Sequence, residues 1–434
     1  MQIRQVLGRA TCVIVFAFSS IPIFGEAPPL PGQSPSPLQP TQPLTLREAL
    51  VLAEENNPQL RVAAAQREGA VAAITTARAY PNPTVAFLAG PQYSRMSNAG
   101  RGPSGVLQAY TFTQPIELPS LRKARIEAAR KAQDSSEYGI ESARLAVRGA
   151  VKQAFYQVLR HRREVEVADE NLKLIEDLRQ RIETQVEVGE AARLELVRAE
   201  AEVATARTLL RSAQLRQVTA LSVLRATIGL SAGPPLDPRG ELARPIPLPP
   251  PQAMRAEMNE RHPILNQARA EITVAEARLK TEIAARKPQP SVYTDYEHQP
   301  DLGFARIGVN IPLPIWNKRE GPIAESVAAV NRTRAERHVR ELELAAALER
   351  ALGLYEVATQ QIQSFEEGVL KEAEAALAAA EAAFRYGERG IIEVLDAQRV
   401  LRSVRLDFLN AQFDLQAALI DLEQLRALDL GANP

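Results

Sequence analysis

The chain repeats itself, and each copy carries helices too long to bury alone. Residues 45–85 and 251–292 run in the same order: a short helical stretch, a proline-started longer one, then a Pro-x-Pro exit. Asn57-Pro58 matches His262-Pro263, and Pro81-Asn82-Pro83 matches Pro288-Gln289-Pro290. Proline-free stretches follow at 121–186 and 323–384, then at 194–228 and 391–428. As helix, each longer one spans roughly 100 Å. Apolar residues recur every seven positions: Val394, Leu401, Phe408, Leu415 and Leu422 on one seam, Ala397, Val404, Ala411, Ala418 and Leu425 on the other. Stepping back 198 positions lands on Leu196, Val203, Leu210, Gln217 and Leu224, and on Ala199, Ala206, Ala213 and Ala220. Val151, Val158, Val165 and Leu172 form the earlier seam of the first half. Leu348, Tyr355, Ile362, Val369, Ala376 and Ala383 form that of the second. Such stripes exclude a single compact core and require paired helices, with alanine letting axes approach closely.

Between the shorter and longer helices of each half lie runs rich in β-branched and aromatic residues, at 84–90 and 106–113 and at 291–297 and 303–311. They predict β-hairpins over 84–113 and 291–311. Each run suffices for a tilted strand to cross a bilayer. Four strands cannot close a barrel, and open sheet edges are not tolerated in lipid. Three copies would pool twelve strands, an even number suited to an outer-membrane barrel. Both hairpins should lie side by side at one end, with the turns at 189–191 and 387–390 at the other.

The remaining segments fit export. Arg4 and Arg9 precede a short apolar stretch and small residues, so 1–27 reads as a secretory signal peptide. Cys12, the only cysteine, lies within it, which excludes disulfide frameworks and zinc ribbons from the mature chain. Residues 28–44 form a proline-rich arm. The first repeat occupies 45–232, a proline-rich crossover 233–250, the second repeat 251–428, and a tail 429–434. The formal charge balances to zero, with 52 basic and 52 acidic residues, which argues against a nucleic-acid partner. No mature segment is apolar for long enough to be a transmembrane helix.

The order of elements, the TLREAL–x₆–NP opening, Tyr80-Pro81-Asn82-Pro83, Gln114-Pro115-Ile116 before a long helix, and Gly387 followed by Glu393-Val394-Leu395-Asp396-Ala397-Gln398 together resemble the TolC-type outer-membrane efflux family over nearly all of 45–428. QPIELPSLRKAR at 114–125 and GVNIPLPIWN at 308–317 look most like its heavy-metal branch, the cobalt-zinc-cadmium and copper exporters. The resemblance implies a mainly α fold with a small β part. Long antiparallel coiled-coil helices would build an α-helical barrel, and four strands would join a trimeric 12-stranded outer-membrane β-barrel. It implies a homotrimer in the outer membrane of a Gram-negative bacterium, in contact with its lipid, with a long periplasmic extension. The trimer would dock on a periplasmic adaptor and an inner-membrane pump of the RND type. It would act as the passive exit duct of a tripartite efflux system, with metal cations as a candidate cargo.

The resemblance also places the gate at the helical tip: Gly387, Arg389, Glu393 and Asp396, with Gly189, Glu195 and Arg198 as their first-half counterparts. Glu393 and Asp396 would form acidic rings, and Arg389 would hold the closed state by an ion pair to a neighbouring helix. Ordinary first-turn helix acids would look the same. Arg198 stands where Asp396 does, so the two tips differ in charge. Tyr293, Tyr296, Phe304 and Trp316 are candidates for an interfacial aromatic belt, simple hairpin packing being the alternative. His161, His262, His298 and His338 share no metal-ligand spacing, so neither a metal site nor a cofactor is expected. No hydrolase, P-loop or dinucleotide motif is present, and no enzyme is expected. A duct for type I protein secretion and a periplasmic coiled coil without a pore stand as the other readings.

Overall fold

The computed structural model describes residues 43–92, 96–97, 100–101, 104–231, 236–242 and 244–428. The expected signal peptide with Cys12, the arm up to residue 42 and the tail at 429–434 lie outside the described residues. α1 (Leu46–Asn56) starts in a capping box: Thr45 Oγ1 accepts from the Glu48 N–H, and Glu48 accepts from the Thr45 N–H at 2.8 Å. α2 (Pro58–Arg78) and α6 (Pro263–Ala285) both begin with proline. Asn57 Oδ1 caps the first, accepting from the Gln59 N–H at 2.7 Å. His262 Nδ1 caps the second, accepting from the Ile264 N–H at 3.3 Å. α3 (Pro119–Glu187) and α4 (Arg193–Ile228) are the long helices of the first repeat. In the second, α5 (Pro251–Arg261) precedes α6, and α7 (Glu320–Ser364), α8 (Leu370–Arg385) and α9 (Ile391–Arg426) follow.

The strands β1 (Thr84–Gln92), β2 (Gly105–Pro115), β3 (Ser291–His298) and β4 (Gly303–Asn310) form one antiparallel sheet in chain order. β2 pairs with β3, so the two repeats meet in the sheet. Tyr110 lies opposite both Phe87 and Tyr296, and Asp295 opposite both Thr111 and Arg306.

Three apolar clusters line the helices. Val147, Val151, Phe155 and Val158 of α3 pack with Ala220, Leu224 and Ile228 of α4 and Ala49 and Ala53 of α1. Leu348, Tyr355 and Ile362 of α7 pack with Leu415, Ala418 and Leu422 of α9 and Met254 and Met258 of α5. The third cluster joins both repeats near the turns: Ile175, Ile182, Ala199 and Val203 meet Leu377, Ile391, Val394 and Leu401. α2 and α4 both pack on α3, α3 packs on α6 and α9, and these pack on α7, with α8 on α9. The crossover is pinned to α7 by Tyr355, whose hydroxyl accepts from the Ile246 N–H at 2.9 Å and donates to the Ile246 carbonyl.

One expected seam fails at its end. Val369 is exposed, as is Ala376, whereas Leu377 is buried. The helix expected to run unbroken over 323–384 contains a five-residue π segment, Phe365–Val369, between α7 and α8. Before it, positions 197 apart correspond: Val151 with Leu348 (348 − 151 = 197), and Val158 with Tyr355. After it the offset is 198: Leu172 with Leu370 (370 − 172 = 198), and Gly189 with Gly387. The second repeat thus carries one extra residue, and the wide turn absorbs it. The seam moves to Leu370, Leu377 and Phe384.

Candidate functional site

The two turns at the end away from the sheet are built alike, bond for bond. Gly189 (φ 81°) and Gly387 (φ 73°) adopt the left-handed conformation that side chains disfavour. The Gly189 N–H donates to the Val186 carbonyl at 3.2 Å and the Glu190 N–H to that of Gln185 at 2.8 Å. The Gly387 N–H donates to Phe384 at 3.0 Å and the Glu388 N–H to Ala383 at 2.9 Å. Both pairs are Schellman closures, which satisfy carbonyls that end a helix and reverse the chain tightly.

The expected tip residues gather on these turns but divide by environment. Arg389, Glu393, Asp396 and Arg198 are exposed, and Glu195 is half-buried. Arg389, in the turn before α9, lies 3.8 Å from Glu393 in the first turn of that helix, rather than pairing with a neighbouring helix within the chain. Asp396 lies 3.3 Å from Arg399.

The strongest polar link at this end involves two residues that periodicity does not single out. Glu202 of α4 is buried beside Ala199, Val203 and Ala206. Its carboxylate accepts from Arg399 of α9 through both arms, Nη2 to Oε2 at 2.7 Å and Nε to Oε1 at 3.3 Å. A forked arginine on a buried carboxylate fixes geometry as well as charge. It ties the α3–α4 hairpin to the α8–α9 hairpin. Farther along, Gln398 donates to Asn171 at 3.3 Å, Arg405 pairs with Glu170 at 3.4 Å, Arg160 donates to Asn410 at 2.8 Å and Lys152 pairs with Glu423 at 2.7 Å. A row of polar contacts therefore runs between the repeats. The only sequence signal for Glu202 is an acid adjoining the alanine seam. Nothing in sequence points to Arg399, 197 residues away.

The sheet divides equally sharply. One face carries Val85, Phe87, Val106, Tyr110, Phe112, Tyr296, Ile307 and Val309, all exposed. The rings of Phe87 and Tyr110 meet at a tilt with centroids 4.9 Å apart, and those of Tyr110 and Tyr296 likewise at 6.4 Å. The other face carries Thr84, Thr111, Thr113, Ser291, Asp295, Glu297, Arg306 and Asn310, by the two-residue alternation and the register. The alternation separates the expected aromatic belt. Tyr296 is on the apolar face, whereas Tyr293 and Phe304 share the polar one. Tyr293 covers Gly308, where a Cβ would come within 2.6 Å of its hydroxyl. Trp316 follows the sheet and is 94% exposed.

Two of the histidines serve structure. His161 Nδ1 donates to Glu164 at 2.9 Å, a carboxylate offering only acceptors, which leaves Nε2 to accept from Gln157. His262 is a buried cap. Among the described residues no three His, Cys, Asp or Glu side chains converge to hold a metal, and no helix is long and apolar enough to cross a membrane.

Comparison with known proteins gives a consistent result. The sequence profile described as outer membrane efflux protein matches residues 49–230 and 255–427. The cobalt-zinc-cadmium resistance protein CzcC of Cupriavidus metallidurans is 28% identical over 404 residues, 92% of this chain and 94% of CzcC. Outer membrane protein TolC of Vibrio cholerae is 24% identical, over 87% of this chain and 90% of TolC. Among solved structures, the Campylobacter jejuni CmeC outer membrane channel superposes with a TM-score of 0.71 at 16% identity, covering 89% of this chain and 87% of CmeC.

Proposed function

This chain belongs to the outer membrane efflux protein family, and we propose that three copies of it close head to tail into one duct whose helical tip is the gate. It is an outer-membrane efflux channel with its helices extending into the periplasm, a conduit rather than an enzyme. The observation that carries the trimer is a pair of unmatched edges. Among the described residues, β1 and β4 each leave one side of the sheet unpaired. In lipid those backbone groups have no water to bond, so another chain must supply partners. The helices below repeat the pattern. α4 leaves Leu194, Val197, Leu215 and Val218 exposed, and α7 leaves Val339, Leu342, Leu354 and Val357. One edge belongs to the first repeat and the other to the second. Contact between unlike edges is heterologous, and such contacts form a ring when the rotation between copies closes. Three chains supply twelve strands, with the apolar face toward lipid and Tyr296 and Trp316 at its borders.

The gate is the tip. The Glu202–Arg399 fork holds the two hairpins of one protomer together, and Glu393 and Asp396 present exposed carboxylates beside it. Three copies make acidic rings that favour cations. Gly189 and Gly387 let the turns reverse sharply enough to converge. A periplasmic adaptor coupled to an inner-membrane pump of the RND type would open the tip by replacing these contacts. The likeness to a cobalt-zinc-cadmium resistance protein points to divalent metal cations as cargo.

Purified from membranes in mild detergent, the protein should have three times the chain mass by light scattering, corrected for bound detergent. A water-soluble monomer or dimer would refute the duct. Deleting the gene should lower the tolerated concentration of cobalt, zinc or cadmium. Unchanged tolerance to all three would remove the metal cargo but leave the duct.

A further inference from the structure

The four strands carry only three formal charges among their described residues: Asp295, Glu297 and Arg306. All three lie on the polar face, and all three touch. Arg306 Nη2 donates to Asp295 Oδ2 and to Glu297 Oε2, both at 2.7 Å. Each acid is also held from the other side. Asp295 Oδ1 accepts from the Thr111 hydroxyl at 2.9 Å, and Glu297 Oε1 accepts from Gln299 Nε2 at 2.6 Å. The acids are mostly covered, at 17% and 20% exposure, while the guanidinium over them is 57% exposed. A cation approaching from the open side of this face meets the arginine first. The cluster sits toward the β3–β4 turn, away from the ends joined to the helices.

Resting on the duct reading, we propose that Arg306 is a selectivity-determining residue: it masks two carboxylates per chain so that multivalent cations leave the barrel instead of lodging in it. Fixed charge in a narrow channel attracts counter-ions, and conduction needs binding weak enough to release them. With Arg306 in place each chain contributes one net negative charge here, and the ring three. Without it the ring holds six carboxylates, already oriented by Thr111 and Gln299, and no other formal charge within these four strands offsets them. The resulting trap would suit a multivalent cation. The arginine therefore matters most in a channel whose cargo is cationic.

The test is side-specific block of single channels in planar bilayers, with hexamminecobalt(III) added on the barrel side. Wild-type channels should be blocked weakly from that side. Arg306→Gln should lower the half-blocking concentration at least tenfold, and adding Asp295→Asn and Glu297→Gln should restore weak block. Should the glutamine variant fail to assemble as a trimer, Arg306→Lys provides the second reading. It keeps the charge but carries it on a compact, strongly hydrated ammonium with a flexible stem, in place of the guanidinium whose Nη2 bridges both acids, and should show a smaller gain in block; no gain there overturns the proposal. An assembled, conducting Arg306→Gln with wild-type block overturns the inference alone. Wild-type protein that forms no channel overturns the duct reading and this inference with it.

Discussion

Replacing Arg399 with alanine should raise the open-to-closed ratio of the channel roughly a hundredfold. Arg399 grips the buried Glu202 through two hydrogen bonds, and this fork joins the two helical hairpins of one chain. The guanidinium is about half exposed, so solvent screens the pair and each fork is worth only about 1 kcal/mol. A ring that opens as a unit loses three of them, about 3 kcal/mol, or roughly two decades in the open-to-closed ratio. Glu202→Gln should act in the same direction, while Arg399→Lys should keep part of the link. Alanine at Glu393 and Asp396 removes only exposed carboxylates, so it should raise conductance less, with an effect that fades at high salt. Single-channel recordings on detergent-purified protein decide the matter. If Arg399→Ala conducts like wild type, the fork is a brace and not a latch.

The second large effect concerns acid. His262 is 2% exposed and serves as the cap of α6 through Nδ1. A capping acceptor must be unprotonated, and burial pushes this imidazole down from 6.5 to about 4. In the unfolded chain it titrates at its ordinary value. Above pH 6.5 both states are neutral and nothing is lost. As pH falls from 6.5 toward 4 the unfolded chain takes up a proton that the folded one refuses, so stability drops. The loss levels off below about 4, where the folded state protonates too. It amounts to about 3 kcal/mol per chain. Asn57 caps the matching helix of the first repeat with a side chain that does not titrate. His262→Asn should therefore keep the cap and flatten the acid limb. Thermal unfolding followed by circular dichroism at pH 7.5 and 4.5 measures it. Equal pH sensitivity in wild type and variant would show that His262 does not govern this range.

The helices, strands and turns were legible because each depends on neighbours in the chain. A seven-residue step, a proline at a helix start and a glycine that must take positive φ act over a few residues, and the bonds at Gly189 and Gly387 are the ones such turns require. The phase of the last seam was not legible. A heptad pattern continues on paper through Phe365–Val369, but the backbone inserts a wide turn there, because Leu377 and Phe384, not Ala376 and Ala383, reach the partner helices. The expected aromatic belt is divided between two faces for a related reason. Tyr293 and Phe304 have the right chemistry, but alternation puts them beside Asp295 and Arg306, where Tyr293 fills the space over Gly308.

The sequence by itself determined the repeat, the kinds of element and their order, and with them the family, since all of these are written in local periodicity. The tertiary structure decided which charges act together. Glu202 meets Arg399 across 197 residues, and Arg306 meets two acids only when β3 and β4 pair in one register. Such contacts depend on how long helices are phased against one another and how strands align. A single inserted residue changes the phase, and a single slip inverts the face.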